Sequence, residues 1–452
     1  MSRRINLDSA SSTPLLPEVR AAIAAVLEET GNPSSIHTPG QRAKEALEQA
    51  RRQVAALLNA KPAEIHFTSC GTEANNWALR GLCAANKRKG SHIVISAIEH
   101  PSVSLVARRL EMDSGACVTV LPVDREGFVS PAELKAALKP ETVLVSIMLA
   151  NGEVGTIQPI QELAALAHEQ GALFHTDAVA AVGHVPVDVK SLGVDALSLA
   201  ANQFYGPPGA AALFVRDGVR ILPLLEGGGQ EQGGRSGTEA LPAIVGMGVA
   251  AELAAQRLGG TGAASGPHAS RHAALPSATT PAAWCPPRSQ DPSHLRDRLR
   301  DGLIARIEHL RINGPVDFRR VARSGVPTCP QPTTPIVRRG EDSVGCEATG
   351  PAESQGRLPH NLHVCVEGVS SESLVLGLDE AGIAAGLGSA CNSKAMRPSH
   401  VLKAMGLTDE QAKGAVVFTV GIQTTEEEIT RALEVIPQVV QRLRNVTALT
   451  AR

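Results

Sequence analysis

Short apolar runs of strand length alternate with helical stretches, such as residues 160–170, through the first half of the chain. Strands that alternate with helices favour βαβ units and a parallel sheet with both faces buried. The pattern therefore predicts an α/β fold. Because ligands bind such sheets at the carboxyl ends of the strands, the residues just after the runs are candidate site residues. The runs lie at 92–97, 142–149, 172–178, 196–200 and 210–215.

The domain organisation follows from length and from two compositionally distinct segments. At 452 residues the chain is too long for one small domain. Residues 259–293 and 316–357 are rich in Gly, Pro, Ser, Ala and Thr without periodicity, which predicts flexible insertions. We predict a large domain over 16–258 and a small domain formed by 1–15 and 294–452, apart from the second insertion.

Further elements are predicted on either side of these segments. Apolar residues at helical spacing predict helices over 41–58 and 294–310, and residues 361–368 read as a strand. Thr425 and Glu428 form a capping-box pair, which predicts the start of the last helix.

Composition excludes several classes of function. The formal net charge of -2 and an aromatic content of 2% give no support for a nucleic-acid groove. No apolar run reaches the roughly 18 residues that a membrane span needs, and the N-terminus lacks the apolar core of a secretory signal. The eight cysteines show no CxxC pair or zinc-ligand spacing. We therefore expect a cytoplasmic protein with neither a nucleic-acid nor a membrane partner.

Eight motifs, in the same order along the chain, resemble the NifS/IscS cysteine desulfurases. This family belongs to the aminotransferase class V group of fold-type I transferases, which use pyridoxal phosphate (PLP). The resemblance implies a large domain with a mainly parallel, seven-stranded type of sheet and a smaller α+β domain. The motifs are GNPSSIHTPG (31–40), FTSCGTEANN (67–76), SAIEHPSV (96–103), HTDAVAAVG (175–183), YGPPGAAALFV (205–215), GGGQEQGGRSGTE (227–239), GSACNSKAMRPSHVL (388–402) and TTEEEI (424–429).

The resemblance also implies which residues hold PLP. Asp177 occupies the position of the aspartate that pairs with the pyridine nitrogen and makes the ring a stronger electron sink. His100 corresponds to the histidine that stacks on the ring. Gly71 and Thr72 open a predicted helix, whose backbone N–H groups would cradle the phosphate. Asn151 is the first asparagine of an Asn-Asn-Glu motif, and Thr238 lies in the segment that reaches the phosphate from a second subunit, which implies a homodimer.

Cys391 lies in GSACNS, where the family carries the mobile cysteine that takes up sulfur as a persulfide. Glycine, serine and asparagine surround it, as in a mobile loop. An accessible thiolate can accept sulfur or ligate iron. We therefore expect Cys391 to be the functional cysteine. It is also a candidate ligand of a [2Fe-2S] cluster shared with an iron–sulfur scaffold protein.

The lysine that carries the cofactor in this family is missing here. The family has Ser-x-His-Lys just before Tyr-Gly-Pro, whereas this chain reads Ala200, Ala201, Asn202 and Gln203. A lysine amine attacks the PLP aldehyde and serves as a base, and a glutamine amide does neither. PLP is therefore not expected here as a lysine aldimine.

Other family positions have changed as well. Ala180 replaces the glutamine that bonds the phenolic oxygen, and Gly152 replaces the second asparagine of Asn-Asn-Glu. Val417 stands where an arginine clamps the substrate carboxylate, and Gln232 stands where the family commonly has arginine. The pattern resembles a lysine-less branch of the IscS group. It predicts that lysine-dependent desulfuration has been lost.

Three functions remain open from the sequence. The first is a partner in sulfur transfer and iron–sulfur cluster assembly that keeps Cys391 for persulfide or cluster handling. The second is a PLP enzyme, a cysteine desulfurase or related lyase, that binds its cofactor non-covalently. The third is a degenerate paralogue with a binding role only. Whether the chain is an enzyme at all is left undecided.

Overall fold

A computed structural model of the protein describes residues 4–29, 31–259, 292–315, 356–388 and 398–450, with side chains through residue 446. Cys391 and nearly all of the two predicted insertions lie outside these residues.

A central sheet of seven strands organises the first part of the chain. Its order is β2-β8-β7-β6-β5-β3-β4, and only β8 runs antiparallel to its neighbours. Every residue of β3, β5, β7 and β8 is buried, as a sheet covered on both faces requires. The predicted α/β class with a mainly parallel sheet is confirmed. The strands are β2 (Ile65–Thr68), β3 (His92–Ser96), β4 (Cys117–Leu121), β5 (Thr142–Ser146), β6 (Leu173–Asp177), β7 (Ala196–Ala200) and β8 (Ala211–Val215).

Amphipathic helices cover the sheet. In α2, Ala43, Leu47, Ala50 and Val54 are buried at the spacing of one helical face, as the sequence predicts. Leu47, Ala50 and Val54 belong to the hydrophobic core of the sheet. The helices are α1 (Pro17–Leu27), α2 (Thr38–Leu57), α3 (Gly71–Ala85), α4 (Pro101–Ser114), α5 (Pro131–Ala137), α6 (Ile160–Glu169), α7 (Val189–Leu192) and α8 (Leu241–Arg257).

The rest of the described chain forms a second α+β layer with its own hydrophobic cluster. β1 (Ile5–Leu7) pairs in parallel with β11 (Ile383–Ala385), and an antiparallel sheet has the order β12-β10-β9. The N-terminal strand therefore joins the C-terminal part of the chain, and the exact domain boundaries stay a prediction. The other elements are α9 (Ser293–Ile304), β9 (Leu310–Asn313), β10 (Asn361–Val366), α10 (Ser371–Glu380), α11 (His400–Ala404), α12 (Asp409–Ala412), β12 (Ala415–Thr419) and α13 (Glu426–Thr450).

Two predicted boundaries differ from the structure. The helix predicted over 294–310 ends at Ile304, because the chain turns into β9 after it. Arg357, placed in the second insertion, is buried and donates hydrogen bonds to the carbonyl oxygens of Asn313 and Pro315. Composition predicts that a loop is present, but it does not predict the residue at which the chain packs against the rest of the protein again.

The predicted capping box of the last helix is confirmed. The Thr425 N–H donates to Glu428 Oε2 at 3.0 Å, and the Glu428 N–H donates to Thr425 Oγ1 at 3.2 Å. No helix among the described residues is both long and apolar enough to cross a bilayer.

Candidate cofactor site

Asp177 lies at the carboxyl end of β6 with its carboxylate fixed by two hydrogen bonds. Asn75 Nδ2 donates to Oδ2 at 2.6 Å, and the Val179 N–H donates to Oδ1 at 3.0 Å. Burial raises the pKa of Asp177, while these hydrogen bonds and the charge of His100 act to lower it. The structure thus brings Asp177 and His100 into one electrostatic environment, and their roles toward PLP stay a prediction.

His100 caps the N-terminus of α4 and is linked to Asp177 through two side chains. The Ser102 N–H donates to His100 Nδ1 at 3.1 Å, and Ser102 Oγ lies 2.7 Å from the same nitrogen. Asn75 Nδ2 donates to Ser102 Oγ at 2.8 Å. Because an amide N–H can only donate, Nδ1 is an acceptor and the neutral ring carries its proton on Nε2. The ring is held in one orientation while His100 stays exposed.

The first turn of α3 borders the same site. Gly71 is required there, since a Cβ would lie 2.7 Å from Val179 Cγ2. Thr72 is exposed beside the free backbone N–H groups of this helix terminus, which favour an anion such as phosphate. Glu73 lies in the same turn and is paired with Arg235 at 2.8 Å.

Asn151 is held by hydrogen bonds to the protein's own backbone. Its Nδ2 donates to Ile98 O at 3.1 Å, and its Oδ1 accepts from the N–H groups of Glu153 and Val154 at 3.0 Å each. The side chain predicted to bind cofactor therefore shapes the loop after β5.

Gly152 and Ala180 present no polar side chain to the site. A Cβ built on Gly152 would lie 3.4 Å from Ala180 Cβ, so the two positions are neighbours. The two expected losses thus fall at one place on the wall of the site.

The turn after β7 carries the residues at the expected lysine segment. β7 ends at buried Ala200, and Gln203 Nε2 in the following turn donates to Ala10 O at 2.9 Å. The Asn202 carbonyl oxygen accepts from Thr13 N and Oγ1 at 2.8 and 2.9 Å. The Gln203 amide therefore holds the N-terminal segment and offers no amine.

Tyr205, two residues after Gln203, has a left-handed backbone with φ of 72°. Its N–H donates to Thr13 Oγ1 at 2.6 Å, and its hydroxyl accepts from the Ile422 N–H at 2.9 Å. A non-glycine residue in this conformation is strained, and these contacts hold it.

Val417 lies in β12, the strand that contacts the same N-terminal segment through Thr419. It is buried in β12 and exchanges two backbone hydrogen bonds of 2.9 Å with Gly386. Thr419, two residues along the same strand face, accepts from the Ala10 N–H at 2.9 Å. Ala10 thus connects β12 with the turn of Gln203, and the valine supplies no group that binds a carboxylate.

A buried ion pair anchors the loop over residues 227–239. Arg51 donates to both carboxylate oxygens of Glu231 at 2.7 Å, and the Phe67 N–H donates to Glu231 Oε2 at 2.8 Å. Gln232 is exposed with φ of 59°, and Thr238 is also exposed. The assignment of Thr238 to a second subunit's site stays a prediction.

Cys391 lies outside the described residues, so its role stays a prediction. Among the described cysteines, Cys70 and Cys117 are exposed. Burial raises the pKa of Cys83 to about 12 and that of Cys365 to about 11, which keeps these thiols protonated. The described part of the chain holds no group of three or more His, Cys, Asp or Glu side chains suited to a metal ion.

Sequence reasoning missed three polar residues of the site. Asn75 and Ser102 connect Asp177 to His100, and Glu99 lies buried beside them. Glu99 Oε1 accepts from Ser96 Oγ at 2.5 Å and from the Met148 N–H at 2.9 Å, while burial raises the pKa of Glu99 to about 8. One feature of the sequence could have identified Asn75, because it is a polar residue on the buried face of α3.

The retained residues fit one part of PLP and not another. Asp177 suits the ring nitrogen, His100 the ring face and Thr72 the phosphate. The positions expected to face the aldehyde and a substrate carboxylate provide neither an amine nor a cation. These positions are Gln203, Val417, Gly152 and Ala180.

Comparisons with known proteins agree with the motifs. The model of the class-V aminotransferase family matches residues 5–275. Cysteine desulfurase IscS of Clostridium botulinum (strain Kyoto / Type A2) is 39% identical over 450 residues, covering 99% of this chain and 97% of that protein. Cysteine desulfurase IscS of Methanosarcina thermophila is 40% identical over 452 residues, covering 100% and 95%. A solved NifS-like protein has a TM-score of 0.77 at 30% identity, covering 97% of this chain and 100% of that chain.

Proposed function

This chain belongs to the NifS/IscS cysteine desulfurase family of class-V aminotransferases, and from that premise we propose a sulfur-transfer protein of iron–sulfur cluster assembly that has lost lysine-dependent desulfuration. The observation that carries the proposal is the hydrogen bond from Gln203 Nε2 to Ala10 O at 2.9 Å. An amide occupies the expected place of the aldimine lysine and serves the backbone instead.

The surroundings of Gln203 support the same conclusion. Desulfuration of free cysteine needs an amine, a base and an anchor for the substrate carboxylate. Val417 is an apolar side chain in β12, and the amide of Gln203 cannot act as a base at neutral pH. Amino-acid chemistry is therefore disfavoured at three separate steps.

Cys391 is the residue to which we assign the retained activity. Its thiolate would attack the outer sulfur of a donor persulfide, forming a Cys391 persulfide and releasing the donor thiolate. The same thiolate is the candidate iron ligand for a [2Fe-2S] cluster shared with a scaffold protein. We propose a homodimer as the acting form, on the basis of the motif that contains Thr238.

A second candidate is a PLP enzyme that binds its cofactor without a lysine bond. It is favoured by the fixed orientation of Asp177 and by the exposed, oriented ring of His100. When bound, PLP would supply an electron sink, with Asp177 at its ring nitrogen. A third candidate, a degenerate paralogue, predicts binding without sulfur transfer.

The test compares wild type, Cys391→Ser and Cys117→Ser, the last being a matched change of another cysteine, exposed in the structure. Each protein receives sulfur from a small-molecule persulfide donor in the presence of ferrous iron, an electron donor that reduces persulfide sulfur to sulfide, and an iron–sulfur scaffold protein. We expect cluster formation with wild type and Cys117→Ser and a specific loss with Cys391→Ser. Equal rates in all three would refute the proposal. A PLP absorption band that shifts on adding an amine substrate would favour the second candidate.

A further inference from the structure

Glu153 has a buried acidic side chain to which the proposed function assigns no role. It follows Asn151 and Gly152 in the loop after β5, and only 8% of its side chain is exposed. Asn361, the first residue of β10, donates from Nδ2 to the carbonyl oxygens of Gly152 and Glu153 at 3.0 and 3.1 Å. The Glu153 backbone is thereby fixed to the second layer of the protein.

The carboxyl of Glu153 contacts the residue that precedes the Cys391 segment. A Cβ built on Gly388 would lie 2.8 Å from Glu153 Oε1 and 3.0 Å from His363 Nε2. Gly388 therefore sits directly over the carboxyl, and a larger residue there would displace the Glu153 side chain.

The same carboxyl contacts the residue just beyond the segment. The Ser399 hydroxyl, which caps α11, interacts with the Glu153 carboxyl and acts to lower its pKa. The adjacent His400 donates from Nε2 to Glu99 O at 3.0 Å. Gly388 and Ser399, which flank residues 389–397, thus both lie against the side chain of Glu153 in the loop after β5.

The electrostatics suit a neutral carboxyl in this position. Asn313 Nδ2 donates to His363 Nδ1 at 2.9 Å, so the neutral ring has its proton on Nε2, 3.7 Å from Glu153 Oε1. Burial lowers the pKa of His363 to about 3 and raises that of Glu153 to about 8. Neither His363 Nε2 nor Glu153 Oε1 has a hydrogen-bond partner within the described structure.

We propose that Glu153 is a positioning residue that joins Gly388 and Ser399, the two flanks of the segment carrying Cys391, to the loop at the candidate cofactor site. Asn151 and Gly152 border that site, and Glu153 is the next residue in the chain. A change in this loop is then transmitted to both flanks through one side chain. The inference deepens the proposed function, because it concerns the segment of Cys391, but its test involves no sulfur chemistry.

The experiment measures hydrogen exchange of the full-length protein over residues 383–388 and 398–404 in wild type, Glu153→Ala, Glu153→Gln and Ser399→Ala. We expect exchange at both flanks to rise about fivefold in Glu153→Ala, the size of effect that one lost hydrogen bond has, and exchange over residues 383–388 to rise similarly in Ser399→Ala. Glu153→Gln should stay near wild type, because its amide keeps a polar group of the same size beside Gly388 and Ser399. The alkylation rate of Cys391, mapped by mass spectrometry, should change in the same two variants.

The exposed Glu169→Ala change on α6 serves as the matched control and should leave both flanks unaltered. Unchanged exchange in Glu153→Ala would overturn the proposal, as would an equal rise in Glu153→Gln. A rise spread evenly over the seven-stranded sheet would also overturn it, since that indicates general destabilisation. If Glu153→Ala does not fold, Ser399→Ala decides by the exchange over residues 383–388, because the loss of the α11 cap by itself raises exchange only over residues 398–404. A negative result leaves the sulfur-transfer test unaffected, so the two failures are distinguishable.

Discussion

Gly152 and Ala180 are neighbours in the candidate site, with a Cβ on Gly152 lying 3.4 Å from Ala180 Cβ. They belong to different loops, after β5 and after β6, yet both lack the polar side chain that the family resemblance implies. The two predicted losses concern the same place in the candidate site.

Ala180→Gln should strengthen PLP binding. The absence of a side chain at Gly152 leaves room for the glutamine, and one added hydrogen bond is worth about a fivefold gain in affinity. Titration of PLP absorbance measures the effect. Ala180→Leu, of similar size without the amide, should show no gain. An equal gain in both variants would mean that packing, and not the hydrogen bond, is responsible.

Gln203→Lys should allow covalent PLP loading. A lysine there supplies the missing amine, so borohydride reduction followed by peptide mapping should find the adduct at residue 203. Wild type and Gln203→Met, which lacks an amine, should show none. Cysteine turnover should stay low in Gln203→Lys, because Val417 still provides no carboxylate anchor. A wild-type adduct at Lys190 or Lys394 would contradict the assignment of residue 203 as the lost attachment point.

Arg51→Met should destabilise the fold strongly. It leaves the carboxylate of Glu231 buried without its cation, which typically costs about 3–5 kcal/mol. Urea denaturation measures the loss. The double variant Arg51→Met with Glu231→Met removes both charges and should recover much of the stability. Equal destabilisation of the single and double variants would show that the pair is not the cause.

Stability should fall as the pH rises toward 8. Burial raises the pKa of both Glu99 and Glu153 from 4.5 to about 8, so the folded state keeps protons that the unfolded state has lost. The unfolding free energy then decreases as the pH rises from 4.5 to about 8, by at most about 1.4 kcal/mol per pH unit for each group. Glu153→Gln should flatten the slope between about pH 7 and about pH 8 in denaturant titrations.

The buried histidines act in the opposite direction but in a lower window. The pKa of His175 is lowered to about 3 and that of His184 to about 4, from 6.5 in the unfolded chain. Their contribution to stability rises with pH and is nearly complete by about pH 7. An unchanged slope in Glu153→Gln above that pH would therefore show that Glu153 does not titrate as expected.

The sequence by itself determined the α/β class and the order of the central elements, and it alone supplies the prediction of altered site positions. Hydrophobic periodicity carries the first two, since burial on both faces of a sheet needs continuous apolar runs such as 196–200. The proposed loss of the cofactor lysine rests on the residue type at Gln203, which the sequence gives directly.

Tertiary structure alone decided which polar groups meet. The hydrogen bonds from Asn75 to Asp177 and from Gln203 to Ala10 join residues 102 and 193 positions apart, and no local spacing encodes such contacts. The buried carboxyl of Glu153 is a stronger example, because its neighbours Gly388 and Ser399 are found only when two layers pack together. Burial raises the pKa of Glu153, and this burial is produced by the packing of the two layers and not by the residue type.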